Sequence, residues 1–235
     1  MRLGISSCTT LSADETIGIF GRASILPFVG GLYAQLGEFE RAREFVDEAE
    51  RELTELGALS AAAVFCGAAR SDIELLAGDL DAAEATLRDQ CEYLELMRNR
   101  VTLAARAAKL AETLYRQGRL DDAEHWAAIS RANVATDDTQ QELLLLPVEA
   151  KLRARRGLQS DALRLADAAV RLADDTDGLN VIASTRLARA AVLRLVELER
   201  ESEAAIGDAI ALYERKGNVV GAAQARGLLD VEVVA

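Results

Sequence analysis

A short turn signature recurs about every forty residues along this chain and restricts its fold more than any other feature. In the first copy an aromatic residue lies two positions after a glycine, an acidic residue lies three positions after it, and an alanine lies five positions after it. The copies begin at Gly37, Gly78 and Gly118, with a weaker one at Gly157 and a fifth at Glu197, where glycine and alanine are both lost. A fixed period of this size predicts stacked structural repeats, each packing on its neighbours.

The composition favours an all-α chain. Half of the 235 residues are hydrophobic, and the chain contains only two prolines. Alanine, leucine, arginine and glutamate, which are strong helix formers, are abundant, whereas aromatic residues make up 4%. The chain is long enough to bury a substantial core, as one domain or as an elongated array.

The second copy shows how one repeat is built. The segment 61–77, directly upstream of Gly78, has no proline, and downstream apolar residues recur at helical spacing from Leu80 to Leu94. Gly78 can adopt the left-handed conformation that ends a helix, and Asp79 suits the start of the next one. Because Ala83 is small, the two antiparallel helices can approach closely. Each copy therefore predicts a helical hairpin.

The same pattern predicts five helix pairs and one terminal helix. The pairs are 22–36 with 39–56, 59–77 with 80–97, 100–117 with 120–133, 139–156 with 159–174, and 179–196 with 200–215, and the last helix is 219–230. Residues 1–20 are predicted to be an irregular segment or a capping element. Residues 21–230 form the repeat domain in this interpretation, and 231–235 form a tail.

The charge and the apolar stretches exclude several classes of partner. The net charge is −12, which repels duplex nucleic acid and anionic membrane surfaces. The apolar stretch 17–36 is interrupted by Arg22 and Pro27, so it predicts a buried helix rather than a membrane span. We therefore expect neither direct nucleic-acid binding nor membrane insertion.

The cysteines and the N-terminal sequence bear on the cellular compartment of the protein. Cys8, Cys66 and Cys91 are an odd number with no close pairing, which fits a reducing cytoplasm with Cys66 and Cys91 as small core residues. The N-terminus lacks the ordered regions of a signal peptide. A cytoplasmic location is expected.

The turn resembles that of the tetratricopeptide repeat. The pattern includes small or apolar residues four and seven places after the alanine, such as Val46 and Ala49 in the first copy. The period of about forty is longer than the standard thirty-four of that repeat. Longer repeats of this kind are found in the C-terminal arrays of large bacterial signalling ATPases, some with a cyclase or LuxR-type domain, and residues 30–57, 114–126 and 209–229 are most similar to those arrays. The resemblance implies a right-handed superhelix, in the tail of a larger regulator or in a free-standing relative.

The same resemblance implies a binding groove lined by the first helix of each pair. The positions that match groove-facing sites are Asp72, Glu112, Tyr115, Arg116, Lys151, Arg155 and Arg194. The later members are basic, which suits an acidic peptide or the carboxylates of a protein partner. Alternatively, these arginines are solvated or pair with carboxylates of the same chain.

The sequence offers no chemistry for catalysis. No glycine-rich phosphate loop occurs, and the single histidine, His125, has no recognisable ligand set or nucleophile around it. We expect neither a cofactor nor a metal, and predict a non-catalytic scaffold for protein interaction, as a regulatory module of a bacterial signalling or transcription regulator. The alternatives are a small-molecule effector domain and a self-associating module, for instance a homodimer formed through the apolar end at Val231, Val233 and Val234.

Overall fold

The structure, a computed structural model, describes residues 18–135 and 138–230. This part of the chain contains eleven helices and no strand. The chain divides into two compact units, with the boundary between Met97 and Arg98. The prediction of an all-α chain of helical repeats is confirmed.

The first unit consists of two helical hairpins. Helix α1 (Gly18–Gln35) packs against α2 (Phe39–Glu55), and α3 (59–77) packs against α4 (Leu80–Leu96). Within α3, the segment Ala62–Cys66 is a π-helix, which the sequence pattern does not predict. The other helix bounds of this unit lie within one residue of the predicted ones, except that α1 begins at Gly18, four residues before its predicted start and within the segment predicted to be irregular.

The second unit continues with three hairpins and a single helix. These are α5 (Arg100–Arg116) with α6 (Leu120–Asn133), α7 (Thr139–Arg155) with α8 (Gln159–Asp174), α9 (Leu179–Leu195) with α10 (Glu199–Lys216), and then α11 (Val219–Asp230). Each first helix also packs against the first helix of the next hairpin, from α5 to α7 and from α7 to α9. This stacking aligns the side chains of α5, α7 and α9 within one unit.

The repeat turns owe their geometry to a left-handed residue at the end of each first helix. The predicted turn glycines have positive φ angles, from +77° at Gly157 to +86° at Gly37. At the fifth turn Glu197 adopts the same conformation, with φ +63°. The capping bonds persist there, because Leu198 N donates to Leu193 O at 2.9 Å, as Arg119 N does to Leu114 O at 2.9 Å. The fifth copy therefore keeps the turn after losing its glycine.

This turn provides a test of the repeat geometry. We expect Glu197→Gly to raise the free energy of unfolding by roughly 1 kcal/mol, because glycine adopts the left-handed conformation without the steric cost of a Cβ. The control, Glu203→Gly, lies inside α10 and should lower it by roughly 1 kcal/mol. Urea unfolding of both variants measures the difference. A loss of stability at both positions would contradict the assigned turn.

The alanine of the turn signature sits where the hairpin helices meet. Ala42, Ala83, Ala123 and Ala162 are completely buried. Because each side chain is a single methyl group, the second helix can lie close to the first. The predicted role of these alanines in close packing agrees with their burial.

Ion pairs connect consecutive hairpins within each unit. In each case the second helix of one hairpin pairs with the first helix of the next. The pairs are Arg70 with Asp47 (2.9 Å) and Glu50 (2.6 Å), Arg131 with Glu149 (2.6 Å), and Arg189 with Asp167 (2.7 Å). Pairs of this exposure contribute about 0–1 kcal/mol each, so they select the register of the stack more than they stabilise it.

The described cysteines are core residues. Cys66 and Cys91 are both buried free thiols. Burial raises the pKa of the Cys66 thiol to about 11, so the group stays protonated near neutral pH. This agrees with the predicted role in the core, whereas Cys8 lies outside the described residues.

Candidate partner-binding groove in the second unit

The structure brings most of the predicted groove residues together in the second unit. Glu112, Tyr115, Arg116, Lys151, Arg155 and Arg194 lie on the first helices α5, α7 and α9. Asp72 is half-buried on α3 of the first unit and is not part of this group. The candidate site is therefore described from α5, α7 and α9.

Lys151 is buried and paired with a carboxylate of the same chain. Its side chain is only 7% exposed, and its Nζ donates to both carboxylate oxygens of Glu112 on the preceding first helix. The ammonium nitrogen also lies 4.8 Å from the centre of the Tyr115 ring. Among the alternatives that the sequence leaves open, intramolecular pairing applies to this lysine, and its charge is neutralised by Glu112.

Arg155 is the exposed member of the same cluster, and it contacts the half-buried Tyr115. Arg155 Nε donates to Tyr115 Oη at 3.4 Å, and Arg155 Cζ lies 5.9 Å from the ring centre. The tyrosine ring thus lies near two cations, of which one is buried and paired and the other is exposed. Arg155 is the cation of this cluster that an incoming group can reach.

Arg194 connects the groove to the last helix. One of its terminal nitrogens donates to the carbonyl oxygen of Leu228 on α11 at 3.2 Å, and Nε lies 3.5 Å from Glu199. The side chain is half-buried, so it positions α11 as well as carrying charge. Arg116, at the end of α5, is exposed.

A small cavity opens between these side chains. Its volume is about 160 Å³. The residues lining it are Tyr115, Arg155 and Arg194, together with Ala190, Ala191, Leu195, Ser202, Ile206 and Leu228. No carboxylate belongs to this lining, so the polar groups at the cavity are a phenol, two guanidinium groups and a serine hydroxyl.

Sequence reasoning missed the floor of this cavity. Ser202 and Ile206 come from the second helix α10, and Leu228 comes from the terminal helix α11. The groove positions that the resemblance implies all lie on first helices, so they include no residue of α10 or α11. The burial pattern of α10 would have marked Ile206 as a core-facing residue, but no local signal points to the exposed Leu228.

The described residues contain neither a metal cluster nor a membrane span. Nowhere in 18–135 and 138–230 do three or more histidine, cysteine, aspartate or glutamate side chains come together as metal ligands could. The helices in these ranges are all too short or too polar to cross a bilayer. The apolar end at Val231, Val233 and Val234 lies outside the described residues.

No family model matches the sequence, and no curated protein matches it either. Solved structures resemble it in fold. BtubC (BKLC) from P. vanneervenii superimposes with a TM-score of 0.55 at 14% identity, over 91% of this chain and 88% of that one. A Rap protein complexed with competence and sporulation factor superimposes with a TM-score of 0.56 at 15% identity, over 91% of this chain and 64% of the Rap chain.

A third structure, the TPR protein YrrB, has a TM-score of 0.40 at 14% identity, over 86% of this chain and 91% of that one. At such identities a likeness shows the fold and nothing more. The neighbours are helical-repeat proteins of tetratricopeptide type. The chain therefore has a fold like that of the tetratricopeptide repeat proteins.

Proposed function

We propose that this protein is a non-catalytic scaffold that binds a segment of another protein in the groove of its second unit. The observation that carries the proposal is the cavity between Tyr115, Arg155 and Arg194. Its floor is apolar, its polar groups include two guanidinium groups, and it contains no carboxylate. This combination suits an aliphatic side chain with an acidic group beside it.

The size of the cavity favours a polypeptide over a free effector. Pockets that enclose a drug-sized molecule measure roughly 300–1,000 Å³. This cavity, at about 160 Å³, is smaller. One side chain of a longer partner fits such a space, while the rest of the segment lies along α5, α7 and α9.

The charge favours an acidic segment. Arg155 is exposed and makes its described hydrogen bond to a neutral phenol, so its guanidinium group can still grip a carboxylate with two parallel hydrogen bonds. Lys151 contributes indirectly, because its contact with Tyr115 holds the ring in place. The predicted acidic partner thus depends mainly on Arg155, with Arg194 at the far side of the cavity.

The finer role that we propose is a regulatory module of a bacterial signalling or transcription protein. Two observations support it: the sequence resemblance to arrays of bacterial signalling ATPases, and a fold similar to that of a Rap protein, which was solved in complex with competence and sporulation factor. In this role, binding of the acidic segment is the signal that the module transmits.

The experiment is a charge reversal at Arg155 with a matched control. Capture of partners from the lysate of the native cell is compared for wild type, Arg155→Glu and Arg200→Glu, which reverses an exposed arginine on α10. A partner captured by wild type is then titrated calorimetrically. We expect Arg155→Glu to weaken its binding roughly tenfold or more, and Arg200→Glu to leave it unchanged.

A milder change tests the other side of the cavity. Arg194→Gln keeps a donor for Leu228 O while removing the charge, so it should weaken partner binding without releasing α11. Equal capture by wild type and Arg155→Glu would contradict the site. Circular dichroism of each variant checks that the helices remain.

A further inference from the structure

The second unit has another, larger cavity, which shares no lining residue with the first. Its volume is about 430 Å³. Its lining comes from α8, α9 and α10: Asp167, Val170, Arg171, Arg186, Arg189, Glu201, Ala204, Ala205 and Asp208. Helices α8 and α10 each pack on α9, and they make no comparable contact with each other. The cavity is thus a groove with α9 as its floor.

The arginines on the floor are neutralised within the fold. Arg189 Nε lies 2.7 Å from Asp167, and Arg186 lies 2.9 Å from Asp174. These pairs remove two positive charges from the bottom of the groove. The unpaired charges of the groove therefore lie on its two walls.

The walls carry opposite charges. Arg171 on α8 and the pair Glu201 and Asp208 on α10 are exposed. Within the described part of the second unit, none of these three side chains forms an ion pair. Ala204 and Ala205 lie between Glu201 and Asp208 on α10, and the partly buried Val170 precedes Arg171 on α8. The groove therefore has a positive wall on α8 and a negative wall on α10, each with small or apolar side chains beside its charges.

The spacing of the acidic residues on α10 fits one α-helix. Glu201 and Asp208 are seven residues apart on α10, which is two turns or ~10.5 Å along the helix. A helix lying beside α10 presents its own residues seven apart at the same spacing.

We propose that this groove docks an amphipathic helix of a partner protein. The helix carries two basic residues seven positions apart, facing Glu201 and Asp208, and an acidic residue facing Arg171, with small residues over Ala204 and Ala205. A second copy of this chain is a poorer occupant, since each copy carries a net charge of −12, whereas a basic segment is attracted. The scaffold then has two docking surfaces, one for an acidic segment and one for a basic helix.

The test uses a synthetic peptide as the probe. It has sixteen residues, with lysines at positions four and eleven, a glutamate at position nine, and alanine or leucine elsewhere. A control peptide has the same composition with the lysines five positions apart. Fluorescence anisotropy measures binding of both to wild type, to Glu201→Gln/Asp208→Asn, and to Glu203→Gln/Asp177→Asn, which removes the same charge from the second unit outside the groove.

We expect the probe to bind wild type more tightly than the control peptide. Loss of Glu201 and Asp208 should weaken the probe about threefold to thirtyfold, whereas the Glu203 and Asp177 variant should bind as wild type does. Arg171→Glu should also weaken the probe, and a peptide with lysine in place of its glutamate should restore binding to that variant.

Equal binding of the two peptides, or equal loss in the two double variants, would overturn the proposal, because it would mean unspecific attraction to an acidic chain. If free lysine at the same concentration displaced the probe, the groove would bind single cations and not a helix. If wild type showed a mass that rises with concentration and this rise disappeared in Glu201→Gln/Asp208→Asn, the occupant would be a second copy of this chain. Either result would overturn the proposal. Circular dichroism of each variant confirms that the helices are intact, so that a loss of binding is not a loss of fold.

Discussion

Replacement of Glu112 by glutamine should lower the free energy of unfolding by roughly 3 kcal/mol, because it leaves the ammonium group of Lys151 buried without its counter-charge. The Lys151 side chain is 7% exposed and donates to both oxygens of Glu112. Glutamine keeps the shape of the residue and one acceptor oxygen, so the loss reports the charge. Urea unfolding followed by circular dichroism measures it.

A double variant separates the charge from the contact. Removing both charges together, in Glu112→Gln/Lys151→Met, should bring stability back to within about 1 kcal/mol of wild type, since an apolar replacement of a buried ion pair is often neutral. The control, Glu214→Gln, breaks a half-exposed pair with Arg226 and should cost less than about 1 kcal/mol. Similar losses for Glu112→Gln and Glu214→Gln would contradict the burial of Lys151.

The result bears on the groove as well as on stability. Lys151 lies 4.8 Å from the Tyr115 ring, and Tyr115 in turn accepts a hydrogen bond from Arg155. A partner that binds through Arg155 should therefore bind the double variant more weakly than wild type, even where stability is restored. The buried pair is part of the support of the site and not an independent structural feature.

The turn signature was enough to predict the hairpins, because a glycine that must be left-handed and an alanine at a close helix contact are local requirements. The capping geometry at Gly78 and the burial of Ala83 follow directly from it. Even the degenerate fifth turn could be located, since the period places it at Glu197. What is periodic and local in this chain could be derived from the sequence.

Features that depend on contacts between distant residues could not be derived in this way. The pairing of Lys151 with Glu112 joins side chains on different hairpins, and the sequence alone placed both among the groove residues. The π-helical segment Ala62–Cys66 lies beside Gly67, where an added Cβ would come within 1.8 Å of Gln90 Nε2. The contact comes from the packing of α4 on α3, and nothing in the periodicity of α3 signals it.

Two adjacent glycines in α1 should respond to alanine with opposite signs. At Gly30, an added Cβ would lie 2.7 Å from the carbonyl oxygen of Ala42 on α2. Because this oxygen belongs to the backbone, it cannot swing aside as a side chain could. We expect Gly30→Ala to lower the free energy of unfolding by roughly 2 kcal/mol, after allowance for the gain in helix propensity.

Gly31→Ala is the matched control, since an added Cβ there meets nothing within 4 Å. Alanine is favoured over glycine inside a helix by about 1 kcal/mol, so this variant should be more stable than wild type. Urea unfolding of both variants gives the difference, which we expect to be about 3 kcal/mol from the same chemical change one residue apart. If both variants gained stability, a methyl group would fit between α1 and α2, which would contradict the close approach of the two helices at Ala42. Because the buried alanines of the first four repeats imply the same close approach, this pair of variants tests that packing rule at the first hairpin.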